Sequence, residues 1–159
     1  MSLQDNIALV TGASRGIGQV IATRLAREGA KVAVNYHTGA EAAATVVSSI
    51  EAAGGEAFAI GADVSQEDQV GGMVKQVMER WGKLDILVNN AGITRDKLLL
   101  RMSAEDWDQV INVNLRGAFL CTRLALPQMV RQRHGRIVNL SSVVGLSGNP
   151  GQANYAASK

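Results

Sequence analysis

Thr11-Gly12-Ala13-Ser14-Arg15-Gly16-Ile17-Gly18 follows the apolar run Ile7-Ala8-Leu9-Val10 and opens an amphipathic stretch that reaches Gly29. A buried strand that turns through glycines into a helix is the start of a βα unit. The spacing Gly-x-x-x-Gly-x-Gly suits that turn to a phosphate, because glycine permits the tight turn and a close backbone approach, and the free amides of the helix N-terminus then face the anion. Residues Gly12, Ala13, Ser14, Arg15, Gly16, Ile17 and Gly18 are therefore read as a dinucleotide-binding turn. A glycine pattern alone is weak evidence; the strand before it and a βα series after it make it specific.

That series continues along the chain. Lys31-Val32-Ala33-Val34, Ala57-Phe58-Ala59-Ile60, Leu84-Asp85-Ile86-Leu87-Val88 and Arg136-Ile137-Val138-Asn139-Leu140 are further short apolar runs and read as four more buried strands. Helical stretches lie between them, at about 16–29, 40–53, 66–81, 104–114 and 117–132. Gly29 and Gly54-Gly55 are helix stops, Ser103 with Asp106 resembles a capping box, and Pro127 predicts a kink or interruption near Cys121 to Arg123. Strand alternating with helix specifies an α/β doubly wound, Rossmann-type parallel sheet of order 3-2-1-4-5, with the ligand crevice at the carboxyl ends of strands one and four. The 159 residues form one domain, with no linker, repeat or low-complexity tract at which to divide them.

Composition excludes several function classes. Sixteen Lys plus Arg against fourteen Asp plus Glu leave a formal charge of +2, too small and dispersed to imply nucleic acid. The one basic run, Arg131-Gln132-Arg133-His134-Gly135-Arg136, is either a solvated helix end or a docking patch for an acidic partner. Cys121 is the only cysteine, set among apolar residues, so it reads as buried and unreactive. No apolar run reaches the ~20 residues of a membrane span and the N-terminus lacks a signal-peptide pattern, so a cytoplasmic protein is expected. No metal is expected.

The ends of the remaining strands supply the other half of the cofactor reading. Val34-Asn35-Tyr36-His37-Thr38-Gly39 lacks the acidic residue that would hydrogen-bond the adenosine ribose of NAD, and Arg15 is a candidate partner for a 2′-phosphate, so NADP(H) is expected, with Tyr36, His37 and Thr38 beside it. After strand three, Asp63-Val64 is placed to meet the adenine. After strand four, Asn89-Asn90-Ala91-Gly92 lies at the switch point, where small residues let the backbone run close to the cofactor and Asn89 ties neighbouring strands together. At the end of the chain Tyr155 and Lys159 stand four residues apart, on one helix face, and Ser142 lies thirteen residues before Tyr155. A lysine so placed favours the phenolate of a tyrosine whose ordinary pKa is near ~10.

With these residues in order, Thr11 to Gly18, Asp63-Val64, Asn89 to Gly92, Asn112-Val113-Asn114, and Ser142 with Tyr155 and Lys159, the chain resembles the short-chain dehydrogenase/reductase family from Ile7 to Lys159. The resemblance implies that Tyr155 is the general acid, that Ser142 orients the substrate carbonyl, that Lys159 binds the nicotinamide ribose and tunes Tyr155, and that Asn114 holds a water in the proton relay. Tyr155 and Lys159 thus serve cofactor and catalysis, and Ser142 and Tyr155 meet substrate. The wording of Asn89 to Asp96, of Leu98-Leu99-Leu100-Arg101-Met102 and of Gly148 to Tyr155 is similar to the branch that reduces 3-oxoacyl thioesters on acyl carrier protein in fatty-acid elongation. CoA thioesters are the alternative substrate, and an inactive nucleotide-binding scaffold the alternative of another class. Family members continue well past the lysine and form homotetramers through the helix at 117–132. The C-terminal part of the family fold is therefore expected to be absent here, Met129 and its neighbours exposed, strand five left as an edge, and the 159-residue chain by itself nearly inactive.

Overall fold

The computed structural model describes residues 2–159. Five parallel strands, β1 (Ile7–Val10), β2 (Lys31–Tyr36), β3 (Ala57–Gly61), β4 (Ile86–Asn89) and β5 (Arg136–Asn139), form one sheet of order β3-β2-β1-β4-β5, as the alternating pattern requires. β1 is central, with Leu9 opposite Ala33 on one side and Leu87 on the other. Its four side chains are all buried because helices cover both faces of the sheet.

Side-chain alternation divides β1 between two cores. Leu9 joins Leu87, Val70, Met73, Val77, Leu120 and Ala125 beneath α3 (Glu67–Trp81) and α5 (Gly117–Gln132). Ala8 and Val10 turn to the opposite face and meet Ala22, Val46 and Ile50 of α1 (Gly16–Arg27) and α2 (Ala40–Ala52). β4 begins two residues later than the sequence reading placed it. Leu84 and Asp85 precede the ladder, and the buried Asp85 carboxylate accepts the Ile7 amide at 2.8 Å and pairs with Lys83 at 3.0 Å.

The stretch at 104–114 is not one helix. α4 (Ala104–Val110) passes into a π-helical turn, Ile111–Arg116, before α5 begins. The expected interruption at Pro127 does not occur, and α5 runs unbroken through it. Pro127 removes one N–H from the ladder, but it and Arg123, whose carbonyl loses that donor, are both exposed, so the carbonyl faces solvent.

Met129 is also not exposed. Its side chain is buried and packs so closely over Gly135 that a Cβ there would stand 2.6 Å from Met129 Cγ. The exposed apolar side chains of this face are Leu115, Phe119, Leu126 and Val130. The basic run spans the last residues of α5, its left-handed cap Arg133 at φ 53°, and the first residue of β5. β5 is an edge strand, as expected, with Val138 half exposed.

Ser103 and Asp106 form the reciprocal capping box at the start of α4, with Ser103 Oγ accepting the Asp106 amide and Asp106 Oδ2 accepting the Ser103 amide, each at 3.1 Å. The hydrogen bond from Lys97, at 2.7 Å, and then the Ser103 bonds push the Asp106 carboxyl from 3.8 down to about 2. Because its folded pKa is depressed, the contribution of this box is complete above the ordinary carboxylate pKa and is lost as pH falls through about 2. Carboxyl NMR titration is expected to give a midpoint near 2 for Asp106, moving up toward 3.8 in Lys97→Ala; an unchanged midpoint would remove Lys97 as the cause.

Candidate active site

The glycine turn threads between the ends of β2 and β4. Gly12 and Gly16 take φ of 61° and 57°, the left-handed region that favours glycine. A Cβ at Gly12 would lie 2.9 Å from Ala91 Cα, and one at Gly18 would strike the Asn90 amide and the Gly12 carbonyl. At Gly16 it would meet nothing within 4 Å, so this glycine opens a cradle over the start of α1, where Arg15 is the N-cap and no acidic side chain lies in the first turn.

Two asparagines hold the turn. Asn35, 1% exposed in β2, accepts the Gly12 amide through Oδ1 at 3.1 Å and donates through Nδ2 to the carbonyls of Ile60 and Ala62 at 3.2 and 3.1 Å. Its own carbonyl accepts the Ala13 amide at 2.7 Å. From the other side, Asn90 Nδ2 donates to the carbonyls of Thr11 and Gly12 at 2.8 and 3.0 Å, while Thr11 Oγ1 accepts the amides of Asn90 and Ala91, each at 3.0 Å. Asn90 thus spends its amide on the loop. Asn35 was not singled out in the sequence, although a polar residue inside an otherwise apolar buried strand is a signal that some backbone needs it.

On the adenosine side, Tyr36 lays its ring over Gly61, and His37 and Thr38 are exposed beyond β2. His37 Nε2 stands 3.9 Å from Asp63 Oδ2, so the ends of β2 and β3 face one another. Asp63 Oδ1 accepts the amide and hydroxyl of Ser65 at 2.9 and 2.8 Å. Val64 is 5% exposed and packs on Gly117, which leaves it little side chain to offer a ligand.

Tyr155 and Lys159, on α7 (Ala153–Ser158) and just beyond it, line a cleft of about 410 Å³ with Arg15, Asn90, Gly92, Ile93, Thr94 and Arg95. Lys159 Nζ lies 5.8 Å from the Tyr155 ring centroid and donates to the Leu140 carbonyl at 2.8 Å. Burial lowers the Lys159 ammonium pKa, since a half-enclosed cation loses hydration. The cleft lining holds three cationic side chains and no carboxylate.

Ser142 does not line this cleft. Its Oγ accepts the Val144 amide at 3.2 Å and caps α6 (Val143–Ser147), which packs on α7. The hydroxyl proton remains available to donate. Ser141, just after β5, donates to the Lys159 carbonyl at 3.0 Å.

Asn114 sits in the π-helical turn, 5% exposed. Its Nδ2 donates to Ile93 O and Ser158 Oγ, both at 3.0 Å, and its Oδ1 accepts the Ile93 amide at 2.8 Å. Both amide protons are used, so a water could only donate to Oδ1. Asn89 ties strands together as expected, donating to Asn139 Oδ1 at 2.8 Å and Thr122 Oγ1 at 3.1 Å.

Beside Lys159 a second, mostly apolar groove of about 540 Å³ runs along Leu115, Phe119, Leu126 and Leu140. Cys121 lies beneath this face, fully buried, with its thiol pushed up to about 12 by burial, and is no nucleophile. Among the described residues no group of three or more His, Cys, Asp or Glu side chains could hold a metal ion, and no helix is long and apolar enough to cross a membrane.

The family model for short chain dehydrogenases matches residues 6–159, which is nearly the whole chain. The chain belongs to the short-chain dehydrogenase family. The 3-oxoacyl-[acyl-carrier-protein] reductase FabG of Staphylococcus aureus is 60% identical over 152 residues, which cover 96% of this chain and 62% of that protein. The 3-oxoacyl-[acyl-carrier-protein] reductase of Synechocystis is 53% identical over 158 residues, or 99% of this chain and 64% of its own length. A crystal structure of a short chain dehydrogenase from Mycobacterium avium superposes with a TM-score of 0.93 at 41% identity, covering 99% of this chain and 59% of that one. The chain therefore spans roughly three fifths of the length of these relatives.

For a short-chain dehydrogenase the site residues fit a nicotinamide dinucleotide: the cradle above Gly16 is open, the helix start carries no opposing acid, and the adjoining cleft presents cations. Because a side chain at Gly18 would strike both the Asn90 amide and the Gly12 carbonyl, Gly18→Val is expected to displace the turn. Equilibrium dialysis should show nicotinamide dinucleotide affinity falling by at least about tenfold, the scale of one lost phosphate-binding interaction. Retained affinity would mean that the turn is not the binding element.

Proposed function

We propose that this chain forms the dinucleotide and proton-donor portion of an NADPH-dependent reductase acting on 3-oxoacyl thioesters, with acyl carrier protein as the expected thioester carrier. The observation that carries the reading is the single cleft shared by Tyr155, Lys159, Asn90 and Gly92 at the carboxyl end of β4, next to the glycine turn. The 60% identity to a relative named for that activity supports the substrate class.

In this reading Gly12 to Gly18 hold the pyrophosphate on the amides of α1, Ala91 and Gly92 let the backbone run close to the cofactor, and Asp63 with Val64 border the adenine. The absence of a carboxylate from Tyr36, His37 and Thr38, together with the exposed Arg15 guanidinium, favours a 2′-phosphate. Arg15 lines the Tyr155 cleft and makes no ion pair among the described residues, so no carboxylate competes with a phosphate for its guanidinium. When bound, the nicotinamide supplies the hydride.

The proton comes from Tyr155 Oη, which delivers it to the carbonyl oxygen as that oxygen gains negative charge. Ser142 Oγ lies outside the cleft lining and keeps its cap to Val144; with its proton free, it donates to the same oxygen once α6 moves toward Tyr155, a bond that strengthens as the charge develops. Lys159 stabilises the tyrosinate left behind and reaches the nicotinamide ribose. Asn114 keeps α7 in register against Ile93 through Ser158 and has one Oδ1 lone pair left for a relay water.

The exposed Leu115, Phe119 and Leu126 support a homotetramer built on α5, and the lack of any described membrane-crossing helix is consistent with a cytoplasmic protein. A protein of residues 1–159 alone is expected to bind NADPH and turn over slowly, because its apolar groove beside Lys159 stands open to water.

Purified protein is assayed for NADPH oxidation with 3-oxoacyl thioesters of acyl carrier protein and of CoA, alongside Tyr155→Phe. Turnover that Tyr155→Phe reduces by at least about 100-fold is expected, as for loss of a general acid; turnover that survives the substitution would sink the assignment. Arg15→Ala is expected to weaken NADPH by about tenfold while leaving NADH unchanged, the value of one charge-assisted contact. Equal effects on both would assign Arg15 to the cleft instead of the 2′-phosphate.

A further inference from the structure

Asn154 is wholly buried, at 0% exposure, in the residue before Tyr155. Its side chain makes three hydrogen bonds to three different segments. Nδ2 donates to the carbonyl of Arg95, in the loop after β4, at 3.1 Å, and to the carbonyl of Asp106, in the first turn of α4, at 3.1 Å. Oδ1 accepts the amide of Tyr155 itself at 2.8 Å.

The Tyr155 amide belongs to the first turn of α7, where helix N–H groups have no intrahelical partner. The helix start is thereby tied by one side chain to the loop that forms a wall of the Tyr155 cleft and to the capped end of α4. Neighbouring bonds run the same way: Gln152 Nε2 donates to Asp96 at 3.0 Å, and the Lys97 amide donates to the Gly151 carbonyl at 2.8 Å. These neighbours are exposed or half-exposed and water can replace them, whereas the Asn154 bonds have no water to replace them.

We infer that Asn154 is a positioning residue, which sets where the Tyr155 ring enters the cleft relative to the Arg95 loop. The inference rests on Tyr155 being the proton donor of the proposed reaction. An aliphatic residue of the same size would remove the partner of two carbonyls and an amide at a position closed to solvent and let the first turn of α7 shift. A serine could still accept the Tyr155 amide but could not reach both carbonyls together, because it has a single proton to donate. Displacements of the order of an ångström at a reacting group cost about 10²-fold in rate.

The test uses the protein with its full native chain, labelled with fluorotyrosine; residues 1–159 hold two tyrosines, Tyr36 and Tyr155. Tyr155→Phe and Tyr36→Phe each remove one fluorine resonance and so assign the two. In Asn154→Ala the Tyr155 resonance is expected to broaden and move toward its denatured position while that of Tyr36 stays. The kcat for the carbonyl substrate should fall by about 10- to 100-fold with the NADPH Kd within about twofold of the parent. Asn154→Ser should restore part of both and serves alone if Asn154→Ala does not fold.

A Tyr155 resonance unchanged in position and width in a folded variant overturns the inference, as does an equal disturbance of Tyr36, which would mark general loosening. If the unsubstituted protein reduces no 3-oxoacyl thioester, the proposed function fails. The Tyr155 resonance still decides the role of Asn154.

Discussion

The candidate site depends on a polypeptide turn passing between two parallel strands without leaving its amides and carbonyls unpaired. Asn35 on β2 and Asn90 just after β4 supply the missing partners from opposite sides, binding the Gly12 amide and the Thr11 and Gly12 carbonyls. A buried unpaired amide or carbonyl costs about 1–3 kcal/mol, so the loop could not hold a single conformation without them. The glycines make the path sterically possible and the asparagines make it energetically stable. Asn35 also grips the end of β3 through Ile60 and Ala62, so the same side chain fixes the distance between the glycine turn and the Asp63 loop.

The opposite side of the site is organised by a second pair of asparagines, Asn114 and Asn154. Both join α7 to the segment 93–95, one through Ser158 and Ile93, the other through the Tyr155 amide and the Arg95 carbonyl. Asn114 lies in the π-helical turn, a wound segment with one extra residue that separates α4 from α5. Such turns are often found at functional sites because they displace a side chain from the direction an ordinary helix would give it. Here the displaced residue is one whose amide must face both the post-β4 loop and the tyrosine helix.

These polar clamps stand against an incompletely covered apolar surface. The two cores are well closed around β1, but Leu115, Phe119, Leu126 and Val138 are half exposed along α5 and β5. The short-chain dehydrogenases named above are longer, and the chain spans about 62% of the Staphylococcus aureus protein. The bonds around Tyr155 nevertheless tie α7 to α4, to the π-helical turn and to the loop after β4.

The order of strands, the two-faced core and the place of the glycine turn were legible in the sequence because they follow from local rules: short continuous apolar runs, helices between them, and glycines where a strand becomes a helix. The capping box at Ser103, the buried Cys121 and the tie made by Asn89 were legible for the same reason. Met129, Pro127 and the π-helical turn were not, since burial over Gly135, the solvent-facing side of a helix and the register between α4 and α5 depend on what packs against each. The sequence by itself determined which residue types lie near the cleft: Tyr155 and Lys159 four apart on a helix, and Arg15 in the turn. Only the tertiary structure decided what holds them there. Asn35, Asn114 and Asn154 bond to segments between 21 and 59 residues away in the chain, and no local pattern records which distant carbonyl will need a donor.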